Sequence, residues 1–597
     1  MIKRLGPIAL VVAAACGGGG DSNGPKGPLS DIGSMAVGEV RLLNPTDIPN
    51  GIDLPAGSGA RDYVIVVGNT NNAHDVPANY VVKADKSPTS AFGLEVASDM
   101  AASRYSLQLS QVPLARTSQQ AVDNKVRAYE RAFLSLNSHG ALHGGGLTAR
   151  RSSSVAAAAV PAVGDVISVK VPDANTDDLC QNFFSTKAVV ASVSRRAILA
   201  VDTLDGPPGT LFTPAVLDSI TNEFDNITYP TDSSYFGKPT DVNGDAHIIL
   251  LFTGQVNKLT PPGTQGGFVG GFFFAGDFFP PTDPGGAGGG PGSFCPQTNQ
   301  EEIFYLLSPD PTGTKFGNVR SASSVRQGTR GTIAHEFQHM INAGNRFQNP
   351  AVSHFESTWL DEALAHFAED AVGRVSRGFG DLQTLTFNDV LPCNTPCAQA
   401  NDFNAFFFQN LARLTYWMDA PDTYSPMSKK ADTSLAVRGA AWALVRHAAD
   451  NFSNGDPRAL TRTLAAGPDT GVKNFTAAAK APVDTLIKDW LVAMYADHLG
   501  ITNLPAQYQY RSYNFRSVMP PVAKSVLSQS TATYPLRVQS IGSGSDNISA
   551  KNLSGTGTYY RLSVAAGGGA KKVRILDTSG NTNASFPGEH VYVLRVQ

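Results

Sequence analysis

The stretch Thr332-Ile-Ala-His335-Glu336-Phe-Gln-His339-Met-Ile-Asn-Ala343 contains a His-Glu-x-x-His motif and no proline. Its apolar residues recur at helical spacing, which predicts a helix packed by one face. His335 and His339 are four residues apart, so they stack on the other side of that helix. Two convergent imidazoles suit Zn²⁺. Glu336 stands at the edge of that face, where it can accept a proton from water, and we predict it as the catalytic base. The alternative is a histidine pair that binds no metal.

A zinc site needs a third protein ligand, and three glutamates follow the motif within one short segment. The segment reads Glu356-Ser-Thr-Trp-Leu-Asp-Glu362-Ala-Leu-Ala-His366-Phe-Ala-Glu369-Asp370. Its apolar residues also recur at helical spacing, which leaves Glu362, His366 and Glu369 on one polar face. Helical geometry alone does not choose between Glu362 and Glu369 as the ligand.

These two motifs together resemble those of a known family. His335-Glu-Phe-Gln-His339-Met-Ile-Asn followed by Trp359-Leu-Asp-Glu362-Ala-Leu-Ala is similar to the paired motifs of the hyicolysin family of neutral zinc metallopeptidases, which are gluzincins. In gluzincins the third ligand is a glutamate on a second helix, so the resemblance implies that Glu362 is the ligand. It also implies an α+β fold with a gluzincin-like domain. On this assignment, replacing Glu369 is expected to change neither metal content nor activity.

The resemblance extends beyond the two helices. Similar stretches are Asp241-Val-Asn-Gly-Asp245, Gly267-Phe-Val-Gly-Gly-Phe272, Glu302-Ile-Phe-Tyr305 and Arg438-Gly-Ala-Ala-Trp442. Two features depart from the family pattern. Asp361 and Ala363 replace the usual Asn and Gly around the ligand, and His366 stands where thermolysin-like enzymes carry an aspartate. The implied activity is hydrolysis of a protein or peptide substrate by water activated at zinc.

Two parts of this implied mechanism stay open at the level of sequence. The group that stabilises the oxyanion is not identified, and Tyr416, Tyr424 and His366 are the candidates. The run Ile303–Leu307 precedes the motif helix and has two interpretations. It either binds an extended substrate by strand addition or is a fully buried core strand.

The first 15 residues resemble a bacterial lipoprotein signal peptide. Met1-Ile2-Lys3-Arg4 is basic, and the apolar run that ends at Ala15 is too short to span a bilayer. Cys16 follows, and residues 16–33 have the composition of a flexible tether. We therefore expect a lipid on Cys16 that anchors the chain to the bacterial outer membrane or cell surface, outside the cytoplasm. Ordinary cleavage after Ala15 and free secretion is the alternative.

The other four cysteines are Cys180, Cys295, Cys393 and Cys397. In an oxidising compartment we expect them to form disulfides rather than to bind metal. Cys393 and Cys397 can close a small loop, which leaves Cys180 to pair with Cys295. Sequence alone does not decide this connectivity, and free buried thiols are the alternative.

The pattern of runs and turns predicts several domains. Residues 34–139 are predicted as an N-terminal β-rich domain with an amphipathic helix, and residues 140–160 as a linker. Residues 161–504 are predicted as the zinc metallopeptidase domain, and residues 505–597 as a C-terminal β-sandwich-like domain. The formal net charge of −3, with 47 basic and 50 acidic residues, provides no basic field, so we expect no nucleic-acid partner.

Two alternatives concern binding rather than catalysis. Asp241-Val-Asn243-Gly-Asp245 resembles the opening of a calcium loop, but its twelfth position is Phe252 instead of glutamate. A turn is therefore favoured over a Ca²⁺ site. The rival for the whole protein is a lipid-tethered binding or adhesion protein with a non-catalytic zinc site. Glu336 argues against it, because a structural zinc site needs no base. The sequence does not indicate an oligomeric state.

Overall fold

The computed structural model describes residues 32–44, 48–84, 118–137, 159–264, 267–286, 289–391, 398–429, 434–542, 547–586 and 588–597. The predicted signal peptide, Cys16, most of the predicted linker, and the Cys393 and Cys397 pair lie outside the described residues. The described part contains helices and several sheets, which is consistent with the expected α+β class.

The strands are β1 (Val40–Leu43), β2 (Ile52–Leu54), β3 (Arg61–Asn69), β4 (Pro77–Ala84), β5 (Val166–Pro172), β6 (Phe183–Val193), β7 (Ala197–Asp202), β8 (Ile248–Thr253), β9 (Gly271–Phe273), β10 (Ile303–Leu307), β11 (Val538–Ser540), β12 (Ile548–Leu553), β13 (Thr556–Val564), β14 (Lys571–Leu576) and β15 (Glu589–Arg595).

The α-helices are α1 (Ser118–Phe133), α2 (Pro208–Leu211), α3 (Pro214–Glu223), α4 (Tyr229–Phe236), α5 (Gly254–Asn257), α6 (Ala322–Gln348), α7 (Thr358–Ser376), α8 (Phe387–Val390), α9 (Ala398–Asp402), α10 (Phe408–Asp419), α11 (Leu435–Asn451), α12 (Pro457–Ala466), α13 (Gly471–Ala479), α14 (Val483–Ala496) and α15 (Phe515–Val526). Within the described residues, no helix is both long and apolar enough to cross a membrane.

A six-stranded sheet has the order β5-β6-β7-β8-β10-β9. Its strands β7, β8 and β10 run parallel, whereas β9 pairs antiparallel with β10. Every residue of β8 and β10 is buried, as expected for apolar strands covered on both faces. Because β10 lies between β8 and β9, it has no free edge for strand addition. The core-strand interpretation of Ile303–Leu307 therefore holds, and the edge strand at this end is β9.

Helices α6 and α7 carry the two predicted motifs and pack directly against each other. Helix α6 begins after Ser321, whose hydroxyl accepts a hydrogen bond from Ser324 N at 3.1 Å and caps the first turn. Helices α10 and α11 pack closely because Gly439 faces the backbone at Arg413 and Leu414, where a side chain would collide. Helix α11 also packs against α7, and Arg413 of α10 and Arg438 of α11 both contact side chains of α7.

The two ends of the described chain form one β-sandwich. One of its sheets has the order β1-β15-β3-β13-β11, and the other has the order β12-β4-β14-β2. N-terminal strands thus pair with C-terminal strands in both sheets, so the structure differs from the expectation of two separate flanking β domains. The reason is that edge strands from each end need partners, and each end supplies them to the other.

Helices α15 and α14 show how the C-terminal region meets the helical part of the protein. Helix α15, which lies inside the predicted C-terminal β region, packs against α10 instead of joining the sandwich. The sandwich contacts the helical part through α14, where Tyr559 Oη donates to Leu491 O at 2.8 Å. A disulfide joins Cys180 to Cys295, which is the pairing expected if Cys393 and Cys397 close their own loop.

Candidate metal centre

Helices α6 and α7 bring the three predicted zinc ligands together. His335 Nε2 lies 3.2 Å from His339 Nε2 and 3.5 Å from Glu362 Oε2. The ligand atoms of the three residues all lie within 4.8 Å of one another. All three side chains are buried, and Glu362 is 0% exposed.

Contacts with neighbouring carboxylates determine which nitrogen of each imidazole is available to a metal. His335 Nδ1 lies 2.7 Å from Glu369 Oε1, and His339 Nδ1 lies 3.0 Å from Asp361 Oδ2. A carboxylate accepts hydrogen bonds, so Glu369 places a proton on His335 Nδ1, and Asp361 lies against His339 Nδ1 without a well-formed hydrogen bond. Burial lowers the pKa of His335, but its contacts with Glu362 and Glu369 raise it to about 10, so without a metal its Nε2 can donate to His339 Nε2 at 3.2 Å. A metal cation can take the place of that proton. The residues present therefore fit a zinc ion.

Glu362 is held in its ionised form, which is the form that binds a metal. Within the described residues, neither of its oxygens accepts a well-formed hydrogen bond, although Arg438 Nη1 lies 2.8 Å from Oε2. Burial raises the pKa of Glu362, but Arg438 and the two histidines outweigh this effect and hold it well below the usual value. A fully buried carboxylate that stays ionised needs nearby positive charge.

Glu336 lies beside the ligands and contacts strand β9. Its Oε2 accepts a hydrogen bond from Phe273 N at 3.0 Å and lies 3.7 Å from Arg127 Nη2. Burial raises the pKa of Glu336 to about 8, although neighbouring His335 lowers it in part. The predicted base is thus next to the predicted ligands, at the edge strand of the sheet.

A second group of possible ligand atoms, from His335, His366 and Glu369, has a different character. Glu369 Oε1 is 2.7 Å from His335 Nδ1 and 3.0 Å from His366 Nδ1. Arg413 Nη1 is 2.9 Å from the other ring nitrogen, Nε2, of His366. Burial and then Arg413 lower the pKa of His366 to about 3, so this imidazole is neutral. These atoms are used in hydrogen bonds with each other, and the group orients His335 instead of offering a second metal site.

Sequence reasoning missed several residues around the ligands. Glu369, which was expected to have no role, contacts His335 directly. Asp361, noted as a departure from the family pattern, is the partner of His339 and accepts a hydrogen bond from Asn342 Nδ2 at 3.0 Å. The signal for Glu369 was its place on the polar face of α7, and the signal for Asp361 was its position next to Glu362.

Arg438, which sequence reasoning did not assign to the site, contacts both Glu362 and Asp123. The available signal was that Arg438 begins one of the stretches that resemble the hyicolysin family, which did not show what Arg438 contacts.

The candidates for oxyanion stabilisation occupy different places. His366 lies beside His335, with ring centroids 4.7 Å apart. Tyr416 is buried in α10, and burial raises its pKa to about 12. Tyr424 follows that helix, and its carbonyl accepts a hydrogen bond from Trp417 Nε1 at 3.0 Å.

The candidate calcium loop forms a turn whose side chains bind their own backbone. Asp245 N donates to Asn243 Oδ1 at 3.0 Å, and His247 N donates to Asp245 Oδ1 at 2.7 Å. Among the described residues, the groups of His, Cys, Asp and Glu whose ligand atoms converge are the two that share His335. The turn interpretation of Asp241–Asp245 therefore agrees with the structure.

Comparison with known proteins gives partial support for this kind of site. No family model matches the chain. The chain is 28% identical over 151 residues to the neutral metalloprotease ShpI of Staphylococcus hyicus, a stretch that covers 25% of this chain and 30% of that protein. The chain therefore matches less than a third of that relative's length. This similarity supports a relationship to metallopeptidases at most, and it does not single out the hyicolysin family among them.

Proposed function

We propose that this protein is a zinc metalloendopeptidase in which His335, His339 and Glu362 bind the metal and Glu336 is the general base. One observation carries the proposal. Two imidazole Nε2 atoms and a fully buried carboxylate converge, while each Nδ1 already has a carboxylate partner. The partial similarity to a neutral metalloprotease agrees with this activity.

When bound, zinc supplies Lewis-acid chemistry that acidifies water and polarises a carbonyl. Glu336 takes a proton from the attacking water and delivers it to the leaving amine. Glu369 and Asp361 lie against the Nδ1 atoms of His335 and His339, which orients both Nε2 atoms towards the place that zinc would occupy. Substrates are polypeptides, and their sequence preference is not specified by these residues.

The decisive test compares Glu336→Gln with the parent protein. Glutamine keeps the size and polarity of Glu336 but cannot take up a proton. We expect zinc content to stay near one equivalent while casein hydrolysis falls by roughly 10²–10⁴-fold. Treatment of the parent protein with 1,10-phenanthroline should abolish hydrolysis, and added Zn²⁺ should restore it. Zinc binding without casein hydrolysis, in the parent protein and in the double variant Arg127→Ala with Glu130→Ala alike, would support the adhesion alternative instead.

We also propose that the protein is a lipoprotein anchored through Cys16, outside the cytoplasm. The proposal rests on the basic and apolar start of the sequence and on the small residues before Cys16. Cys16→Ala should move the protein from the membrane fraction to the soluble fraction, and Ser22→Ala, in the same tether, should not. Continued membrane fractionation of Cys16→Ala would contradict the anchor, and release of both forms would favour ordinary secretion.

A further inference from the structure

Helix α1 buries an apolar face and a polar face, and it exposes its remaining side at Ala121 and Ala128. Its apolar face packs into the core through Val122, Val126 and Tyr129. The other face is polar and is buried as well, and it carries Gln120, Asp123, Asn124, Arg127 and Glu130. Removing so many polar groups from water is costly unless they find partners. The partners of this face identify what the helix covers.

The polar face of α1 binds the main chain of the edge strand β9 and of the residues beside it. The Gln119 side chain accepts a hydrogen bond from Gly270 N at 2.7 Å and donates one to Gly271 O at 2.8 Å. Further along α1, Arg127 Nη2 donates to Phe273 O at 2.9 Å, and Glu130 Oε1 accepts from Ala275 N at 2.7 Å.

Strand β9 pairs with β10 on its other side, so the groups that α1 binds belong to the free edge of the sheet. An extended polypeptide that adds to a sheet edge uses these same main-chain groups.

The same face of α1 also covers the predicted catalytic residues. Asp123 Oδ2 lies 2.9 Å from Arg438 Nη1, the atom that also contacts Glu362. Arg127 Nη2 lies 3.7 Å from Glu336 Oε2. His335 is 7% exposed and Glu336 is 2% exposed, and Arg127 is among the side chains that cover Glu336. An extended polypeptide cannot pair with the free edge of β9 beside these residues while α1 stays in this position.

We propose that α1 is an internal occupant of the polypeptide-binding cleft, so that α1 must leave β9 before a substrate can bind. The inference rests on the proposed peptidase function for its activity readout, while the occlusion itself has separate readouts. The apolar face holds the helix in place, since Tyr129 Oη donates to Asp178 Oδ1 at 2.7 Å and Cys180 N donates to Tyr129 Oη at 3.3 Å. The two faces can therefore be altered separately.

The test uses the zinc-loaded full chain and a double variant, Arg127→Ala with Glu130→Ala. This change removes both members of a buried ion pair at 2.6 Å, together with the bonds to Phe273 and Ala275. The control is Lys125→Ala on the same helix, which removes a bond of 2.7 Å to Asn175 O away from β9.

Three quantities are measured for each protein: casein hydrolysis, the rate of zinc removal by 1,10-phenanthroline, and amide hydrogen exchange in residues 268–276. In the double variant, hydrolysis and zinc removal should both rise about tenfold, because a larger fraction of molecules has an open cleft. Exchange at Ala275 should rise as well, because its amide loses its acceptor. The control should match the parent protein in all three.

The outcomes separate this inference from the proposed function. If exchange and zinc removal accelerate but no form hydrolyses casein, the peptidase proposal fails and occlusion by α1 stands. If all three quantities in a folded double variant equal those of Lys125→Ala, occlusion is overturned. Should the double variant not fold, Gln119→Ala alone decides the matter. It is expected to raise zinc removal and exchange at Gly270 by about threefold, and unchanged values would overturn the inference.

Discussion

The metal centre and the β-sandwich are both assembled from separate segments, but at very different distances along the chain. His339 and Glu362 lie on consecutive helices that pack on each other. In the sandwich, β3 pairs with β13, which places Val66 opposite Tyr559. The ligands can be recognised from the spacing within two short motifs. A strand pattern, in contrast, shows that a strand exists without showing its partner.

The largest effect is expected from removing one predicted ligand of the metal centre. Glu362→Ala leaves two imidazoles, which are too few protein ligands for a zinc site, so bound zinc and casein hydrolysis should be lost together. The control Glu223→Ala removes a glutamate that pairs with Arg330 and not with a predicted ligand. Zinc content by atomic absorption and casein turnover check the prediction. Retention of one zinc by Glu362→Ala would show that another group is the third ligand.

The next change breaks the sandwich instead. Ile65 in β3 is fully buried in the sandwich core, and Ile65→Ala should lower the free energy of unfolding by about 2–5 kcal/mol. The matched control is Val76→Ala, at a side chain that is 36% exposed. Urea denaturation measures the loss, and zinc affinity is measured on the folded protein. An altered zinc affinity would mean that the sandwich and the metal centre are coupled and not independent.

The smallest effect is expected at Glu369, which contacts a predicted ligand without being one. Glu369→Ala removes the acceptor at 2.7 Å from His335 Nδ1, so the imidazole loses its fixed tautomer and orientation. Zinc affinity should fall by about 10–100-fold, the usual cost of losing such a partner.

The conservative variant Glu369→Gln separates orientation from charge. Its amide oxygen can still accept the hydrogen bond from His335, so it should recover most of the zinc affinity. Zinc titration with a competing chelator measures all three proteins. Equal affinity in the parent protein and Glu369→Ala would leave Glu369 without a positioning role, as the sequence first implied.

The predicted ligands and the predicted base could be anticipated from sequence, whereas the residues that contact them could not. His335, Glu336 and His339 follow from one helical motif, and Glu362 required a resemblance because Glu369 shares its helical face. The structure brings both glutamates to His335, one by Nε2 and the other by Nδ1. Arg438 was not assigned to the site, because the spacing of residues along a helix does not show which distant carboxylate a buried arginine contacts.

The sequence by itself determined the two motif helices, the existence of a strand at Ile303–Leu307 and an amphipathic helix in the N-terminal region. These features depend on residues within one or two helical turns or within a single strand, where side-chain spacing alone decides which face is apolar. Only the tertiary structure decided that both chain ends share one sandwich, and that the polar face of α1 lies on β9 and the metal centre. Both depend on which distant groups satisfy buried hydrogen bonds and charges, and local spacing carries no information about them.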